Sequence, residues 1–491
     1  MIKVEEIYNR AFELHKSGKL DEAEKLYLEI IEQDSQNAEV LNLLGMIYLQ
    51  KFQLNRAEEY ILKAISISPN KYFFENLAKV YLEKEDSEKA VELYTELLKV
   101  TPDNFDYLFN MASAYKRAKN TEKAIECYKK AVKVNPKSPD AYFNLGNIYD
   151  YEGDTEESIK YYKKALELMP DDLETNYFTG LAYFKNRDYK NGLKFFESRL
   201  CKQSALVTQL NTYPNLVRKA PVWEGEDIKD KTLYTYYEAG FGDVLMFVRY
   251  LPLLKERCKK LIFKPQAPLV ELLEYNFPDI EIMKYFSDDK HFDFDYHIPF
   301  LSVPYVLGLD EEKDMFVGKS GYLKANPEIV KKYKEEYFNN DKFKIGIKWR
   351  GNTHYEMDRV IEIESFTKLF DIPNTQFYSF QTFEGAEDLN RVINDYNIID
   401  IGKTVKNFAD TAGALENLDL VICNDTSLVH LAGAMTKPCW VLLPYYYNWR
   451  WHKDLTKCDW YDTVKLYRQK EWGNWDEIFE RIHEDLVGGI I

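Results

Sequence analysis

Two short runs in the second half of the chain put a carboxylate beside glycines or hydroxyls at the point where a strand pattern gives way to a helix pattern. The first is Gly240-Phe-Gly242-Asp243, after the β-rich run 231–237 and before the apolar stretch 244–254. Gly240 and Gly242 permit close approach of backbone to a ligand, and a carboxylate at a helix start faces whatever the loop encloses, so this is a substrate-binding address. Helix capping explains Asp243 equally well. The second run is Asn424-Asp425-Thr426-Ser427, with His430 five residues after Asp425. The free N–H groups and dipole of that helix start favour a phosphate, while a cap and a core-facing histidine would account for the same letters.

The elements that must hold these runs alternate. Strand-like segments at 231–237 and 261–263 are followed by helical ones at 244–254 and 268–275; a second set of strands covers 343–349, 376–381, 398–401, 418–423 and 438–443. Such alternation predicts parallel sheets with crossover helices, in two Rossmann-like halves separated by a cleft. Ligands of open α/β sheets bind beyond the carboxyl ends of strands, which is where both runs fall. Asp293-Phe-Asp295 has the spelling of a metal-binding pair but sits in a strand-like run, and is read as structural.

The first two hundred residues obey another rule. Tyr81, Tyr115, Tyr149 and Tyr183 recur at intervals of 34, with a small residue nine places on (Ala90, Ala124, Ser158, Gly192) and an aromatic four further (Tyr94, Tyr128, Tyr162, Phe196). Pro69, Pro102, Pro136 and Pro170 close units. Six helix pairs result, starting near residues 4, 38, 71, 105, 139 and 173, and the pattern strongly resembles tetratricopeptide repeats. The expected fold class is therefore an α-solenoid followed by an α/β module: repeats over 1–200, a connector over 201–222, and Rossmann-like halves over 223–325 and 326–491. The resemblance implies a protein or peptide partner; the alternative is that the solenoid only dimerises the protein or braces its neighbour. Asn110, Asn144 and Asn176 lie at or near one inner-helix position and would suit hydrogen bonds to an extended peptide, or be merely solvated.

Composition bounds the rest. A net charge of −16 argues against general nucleic-acid binding, and no apolar stretch approaches the length of a membrane span. The N-terminus lacks signal-peptide features, which predicts a cytoplasmic protein. The six cysteines form no C-x-x-C pair, so neither a zinc site nor a disulfide framework is expected. Oligomers remain open.

The paired runs Gly242-Asp243-Val-Leu and Asp425-Thr-Ser-Leu-Val-His-Leu-Ala-Gly-Ala-Met-Thr-Lys-Pro438 resemble glycosyltransferase family nine, the heptosyltransferase-like enzymes of GT-B fold. The order of the whole chain is similar to bacterial proteins that join tetratricopeptide repeats to such a module, which also carry a Trp-x-Gly-Asn stretch (Trp349-Arg-Gly351-Asn352) and a Trp-Arg-Trp element (Trp449-Arg-Trp451). The resemblance implies an inverting, metal-independent glycosyltransferase needing no cofactor besides its nucleotide-sugar co-substrate. Asp243 would be the general base, with 223–325 on the acceptor side and 326–491 on the donor side. Trp349, Gly351, Asn352, Arg359, Asp425, Thr426, Ser427 and His430 would serve the donor, Arg359 as the cation. This chain has Ala239-Gly-Phe-Gly-Asp243 where relatives usually carry Gln-Gly-Leu-Gly-Asp, and Asn448-Trp-Arg-Trp451 where they carry Asp-Trp-Arg-Trp, so the resemblance implies a donor or acceptor other than the commonest. The alternatives are a catalytically inactive repeat adaptor, or a transferase acting on a glycan or lipopolysaccharide.

Overall fold

The computed structural model describes residues 2–200, 220–284, 293–319, 321–351, 359–446, 448–452 and 458–490. It divides into two compact units, residues 1–171 and 172–491.

The first unit is five antiparallel helix pairs: α1 (Ile2–Lys16) with α2 (Leu20–Gln33), α3 (Ala38–Gln50) with α4 (Leu54–Ile67), α5 (Lys71–Glu83) with α6 (Ser87–Val100), α7 (Phe105–Arg117) with α8 (Thr121–Val134), and α9 (Pro139–Tyr151) with α10 (Thr155–Leu168). The side chains of Asn37, Asn70, Asn104 and Ser138 cap the first helix of a pair, and those of Asp86, Asn120 and Asp154 the second. Each satisfies a backbone N–H that the helix start leaves unpaired. Tyr94, Tyr128 and Tyr162 are fully buried between helices, as the spacing predicts.

A second small position escaped the sequence reading. Ala11, Gly45, Ala78, Ala112 and Gly146 occupy it, at the crossing of the two helices of a pair. A Cβ on Gly146 would stand 2.4 Å from the buried Tyr162 ring. Gly146→Ala is therefore expected to destabilise the repeats by about 1–3 kcal/mol through overpacking, read as a lower urea midpoint at unchanged slope. Successive pairs are also clamped by polar contacts: the Tyr48 hydroxyl donates to Glu24 (2.7 Å) and Tyr81 to Glu58 (3.0 Å), each glutamate also pairing with a lysine, Lys51 or Lys84.

The second unit begins with the sixth pair, α11 (Leu173–Lys185) and α12 (Tyr189–Phe196), which folds with the sheets. Phe184 lies 4.7 Å from the Trp449 ring, Tyr189 5.5 Å from Phe316, and Arg187 pairs with Asp459 at 3.0 Å. Among the described residues one sheet has four parallel strands, β1 (Ile228–Tyr236), β2 (Cys258–Lys264), β3 (Glu281–Ile282) and β4 (Tyr296–Pro299), in the order β3-β2-β1-β4. The other has six: β5 (Phe343–Lys348), β6 (Thr375–Ser379), β7 (Ile398–Asp400), β8 (Leu420–Asn424), β9 (Cys439–Leu443) and β10 (Val464–Arg468), ordered β10-β9-β8-β5-β6-β7. Every registered pair is parallel. Numbered within each sheet, the orders run 3-2-1-4 and 3-2-1-4-5-6, as in doubly wound sheets, so each reverses direction beside its own first strand. Asp295 takes the Thr232 N–H at 2.7 Å and ties β4 to β1, a structural role. The Cys423 and Cys439 sulfurs lie 3.8 Å apart on adjacent strands, beyond disulfide length.

Candidate functional site

Both points of reversal supply the charged residues. After β1 the chain turns through Glu238 to Gly240 and enters α13 (Phe241–Phe247), whose first turn carries Asp243. After β8 it turns through Asp425 and Thr426 into α17 (Ser427–Ala434). The two helix starts meet: a Cβ on Gly242 would lie 2.8 Å from His430 Cδ2 and 3.7 Å from Ser427 Cα, so only glycine fits. Likewise a Cβ on Gly351 would stand 3.0 Å from the Thr426 methyl.

Around this contact lie two ion pairs. Arg359 Nη1 reaches Asp425 Oδ2 at 3.2 Å and donates to its carbonyl at 3.0 Å. Arg450, from the loop after β9, pairs with Asp243 Oδ1, while Asp243 Oδ2 accepts the Gly240 N–H at 3.2 Å. His430 Nε2 stands 3.9 Å from Asp425 Oδ1, its Nδ1 2.9 Å from the Tyr461 hydroxyl, and its ring stacks on Trp451 at 5.6 Å. Burial alone would raise the Asp425 carboxyl; Arg359, then His430 and Arg450, outweigh it and hold that carboxyl below the usual range. Burial, reinforced by Arg450, pushes His430 down to about 4, so the imidazole is neutral near pH 7.

Thus Asp243, Arg359, Asp425, Thr426, Ser427 and His430 come together with Gly240, Gly242 and Gly351. Trp349 turns the other way. Alternation along β5 puts it with Ile345 and Ile347 in the core beneath the second sheet, fully buried, and it reaches the site only through its carbonyl, which accepts from Asn424 Nδ2 at 3.1 Å. Asn352 lies outside the described residues. In the repeats, Asn144 accepts from Lys116 at 3.2 Å, and Asn176 donates to the Asp172 carbonyl at 2.7 Å, two positions ahead of the 34-residue phase, where Phe178 stands. Extending that phase backwards from Asn110 finds Asn76 and Asn42, joined by a 3.0 Å hydrogen bond from Asn76 Nδ2 to Asn42 Oδ1.

Other residues of the site had no assignment from sequence. Glu238 receives the buried Arg199 guanidinium at 2.8 Å and the Leu301 N–H at 2.9 Å, fixing the loop before Gly240 to the turn Glu197–Leu200 that follows α12. Arg249 is buried with no carboxylate partner among the described residues; it donates to the Tyr322 hydroxyl and the Trp460 carbonyl, both at 3.2 Å, and lies 5.3 Å from the ring of Tyr461, the hydrogen-bond partner of His430. Lys348, closing β5, donates to the Phe380 carbonyl at 3.4 Å, and burial holds its ammonium down to about 8. For Arg249 the available signal was a lone arginine in the apolar run 244–254.

Models of the tetratricopeptide repeat match residues 38–71, 74–106 and 139–172, and a TPR-repeat model matches 118–150. The N-terminal part carries these repeats, which point to a protein partner. Protein FlbA of Caulobacter vibrioides is 21% identical over 294 residues, covering 53% of this chain and 47% of that protein. That stretch is longer than the twelve helices, so the likeness extends into the region of the sheets. The ycf37 protein of Pyropia yezoensis is 35% identical over 78 residues, 16% of this chain and 44% of its own length. The chain spans less than half the length of the curated relatives it matches. Among solved structures, a tetratricopeptide repeat protein from Parabacteroides merdae is 23% identical with a TM-score of 0.37, over 41% of this chain and 80% of that one. No helix among the described residues is long and apolar enough to cross a membrane.

Proposed function

We propose that the second unit is a glycosyltransferase of GT-B type, which moves a sugar from a nucleotide-sugar to a hydroxyl of a protein held by the repeats, inverting the anomeric centre without a metal. One observation supports this most: Asp243, from the reversal point of one parallel sheet, shares a buried cluster with Arg359, Asp425 and His430 from the reversal point of the other. Ligands of such sheets bind there. In the reaction, the acceptor oxygen bonds to the anomeric carbon as the carbon–oxygen bond to the diphosphate breaks. The bonding pair departs with the nucleoside diphosphate, and Asp243 takes the hydroxyl proton. Arg359 and the start of α17 supply fixed positive potential for the leaving charge. In the repeats, the phased amides of Asn76, Asn110 and Asn144 are the groups for an extended acceptor segment, with the buried Asn42 holding Asn76 from behind.

A second reading, a repeat adaptor with an idle α/β unit, is favoured by one fact: both Asp243 oxygens are already engaged. Calorimetry of the full chain against UDP-, GDP-, CDP- and dTDP-sugars separates the two. One donor is expected to bind, and silence across the panel leaves the adaptor. Intact-mass analysis of a protein retained by the chain then distinguishes a protein acceptor, which gains a sugar, from a glycan acceptor, where it does not.

A further inference from the structure

Arg450 has an unusual position for an arginine. It stands on the loop after β9, at the carboxyl rim of the second sheet, yet its carboxylate partner among the described residues is Asp243, on the helix that follows β1 of the first sheet. Its side chain is only 14% exposed, its Nε is buried with no hydrogen-bond partner among the described residues, and its guanidinium lies 4.9 Å from the Trp449 ring, which fixes its approach. Arg359, the other guanidinium of the cluster, belongs to Asp425 and is fixed to that residue's carbonyl as well. Among the described residues the Arg450 guanidinium has no such backbone anchor.

Both Asp243 oxygens already accept a contact, and the Arg450 guanidinium stands on one of them, so an incoming hydroxyl must share the carboxylate with it. Oδ1 is held by Arg450 and Oδ2 by the Gly240 N–H, so the base and the cation occupy one another. A planar guanidinium takes a phosphate in the same two-pronged way as a carboxylate. We infer that Arg450 is an exchange residue: the diphosphate of the donor takes Arg450 from Asp243, so that binding the donor both completes the anion site and releases the base for the acceptor. This rests on the glycosyltransferase reading and adds an order to it, donor before acceptor.

The exchange makes an uncommon demand: removing the base must improve donor binding. The measurement is calorimetric titration of the full chain with UDP, GDP, CDP, dTDP and ADP, each nucleoside serving as control, for wild type, Arg450→Gln, Asp243→Asn and the double variant. With the diphosphate that binds, Arg450→Gln is expected to weaken affinity at least about tenfold while leaving the nucleoside unaffected, and Asp243→Asn to tighten it by about threefold to tenfold. In the Arg450→Gln background, Asp243→Asn is expected to have no effect, because its influence passes through Arg450. Equal tightening in both backgrounds would reveal a general field of the carboxylate and overturn the exchange, as would weakening by Asp243→Asn. If no diphosphate binds wild type, the glycosyltransferase reading falls and the exchange with it; binding without the coupled pattern removes the exchange alone. Arg450→Lys, which keeps the charge but not the fork, and melting temperatures without ligand separate lost binding from lost folding.

Discussion

Asp243→Asn is expected to slow sugar transfer by about 10²- to 10⁴-fold while donor still binds, because the amide cannot accept the proton that the acceptor hydroxyl must shed. The substitution is nearly isosteric, and its local cost is small. An amide oxygen at the Oδ2 position still accepts the Gly240 N–H, 3.2 Å away in the parent, so the turn into α13 keeps its cap. The Arg450 guanidinium loses a charged partner but keeps the Trp449 face. Initial rates at saturating donor, with product detected by mass, check the effect on turnover. A rate within threefold of wild type would remove the base assignment. A rate lost together with donor binding would instead place Asp243 among the structural supports of the cleft. A companion change at Gly242 reads the packing: alanine there would drive a methyl to 2.8 Å from His430, disturbing both helix starts and binding as well as turnover.

Periodicity carried most of what the sequence could disclose. The 34-residue phase located the helix pairs because each repeat meets the same neighbours, so steric demands at Tyr94, Tyr128 and Tyr162 are nearly identical. The same phase would have disclosed Asn42 and Asn76 had it been run backwards. Strands read well where they are buried on both faces, as at 420–424, and poorly where an aromatic-rich segment could be strand or loop, as at β10. Site residues divided along another line. Asp243, Asp425 and His430 stand in runs that set carboxylates beside glycines or hydroxyls where a strand pattern passes into a helix pattern, so they were visible. The partner that matters most to Asp243 comes from 207 residues away in sequence, and no local pattern encodes such a meeting. Trp349 illustrates the converse: a conspicuous residue two positions before a glycine, turned into the core by the alternation of the strand that leads into it.

Acid is expected to weaken the second unit in a window set by His430 and not by its carboxylates. In the unfolded chain this imidazole takes a proton near its ordinary value of 6.5, whereas in the folded protein burial and Arg450 delay protonation to about 4. Between those values the unfolded state binds more protons, so stability rises with pH across the window and falls as acid is added. The full difference amounts to roughly 3 kcal/mol, a large share of the stability of a typical domain. Asp425 is held below the ordinary carboxylate value of 3.8, so its own contribution disappears only in stronger acid, outside the window. Urea unfolding at pH 7, 6, 5 and 4.5, on wild type and His430→Asn, isolates the effect. Asparagine keeps a polar group near the position of Nδ1 for the Tyr461 hydroxyl but has no proton to gain. Wild type is expected to lose stability faster than the variant on acidification from pH 7 to 4.5. Parallel curves throughout would mean that His430 titrates normally and that the meeting of α13 and α17 is open to water. A neutral His430 has a further consequence for the site: the charge offered to an anion near pH 7 comes from Arg359 and Arg450, both already paired with carboxylates, so an incoming diphosphate must compete for one of them.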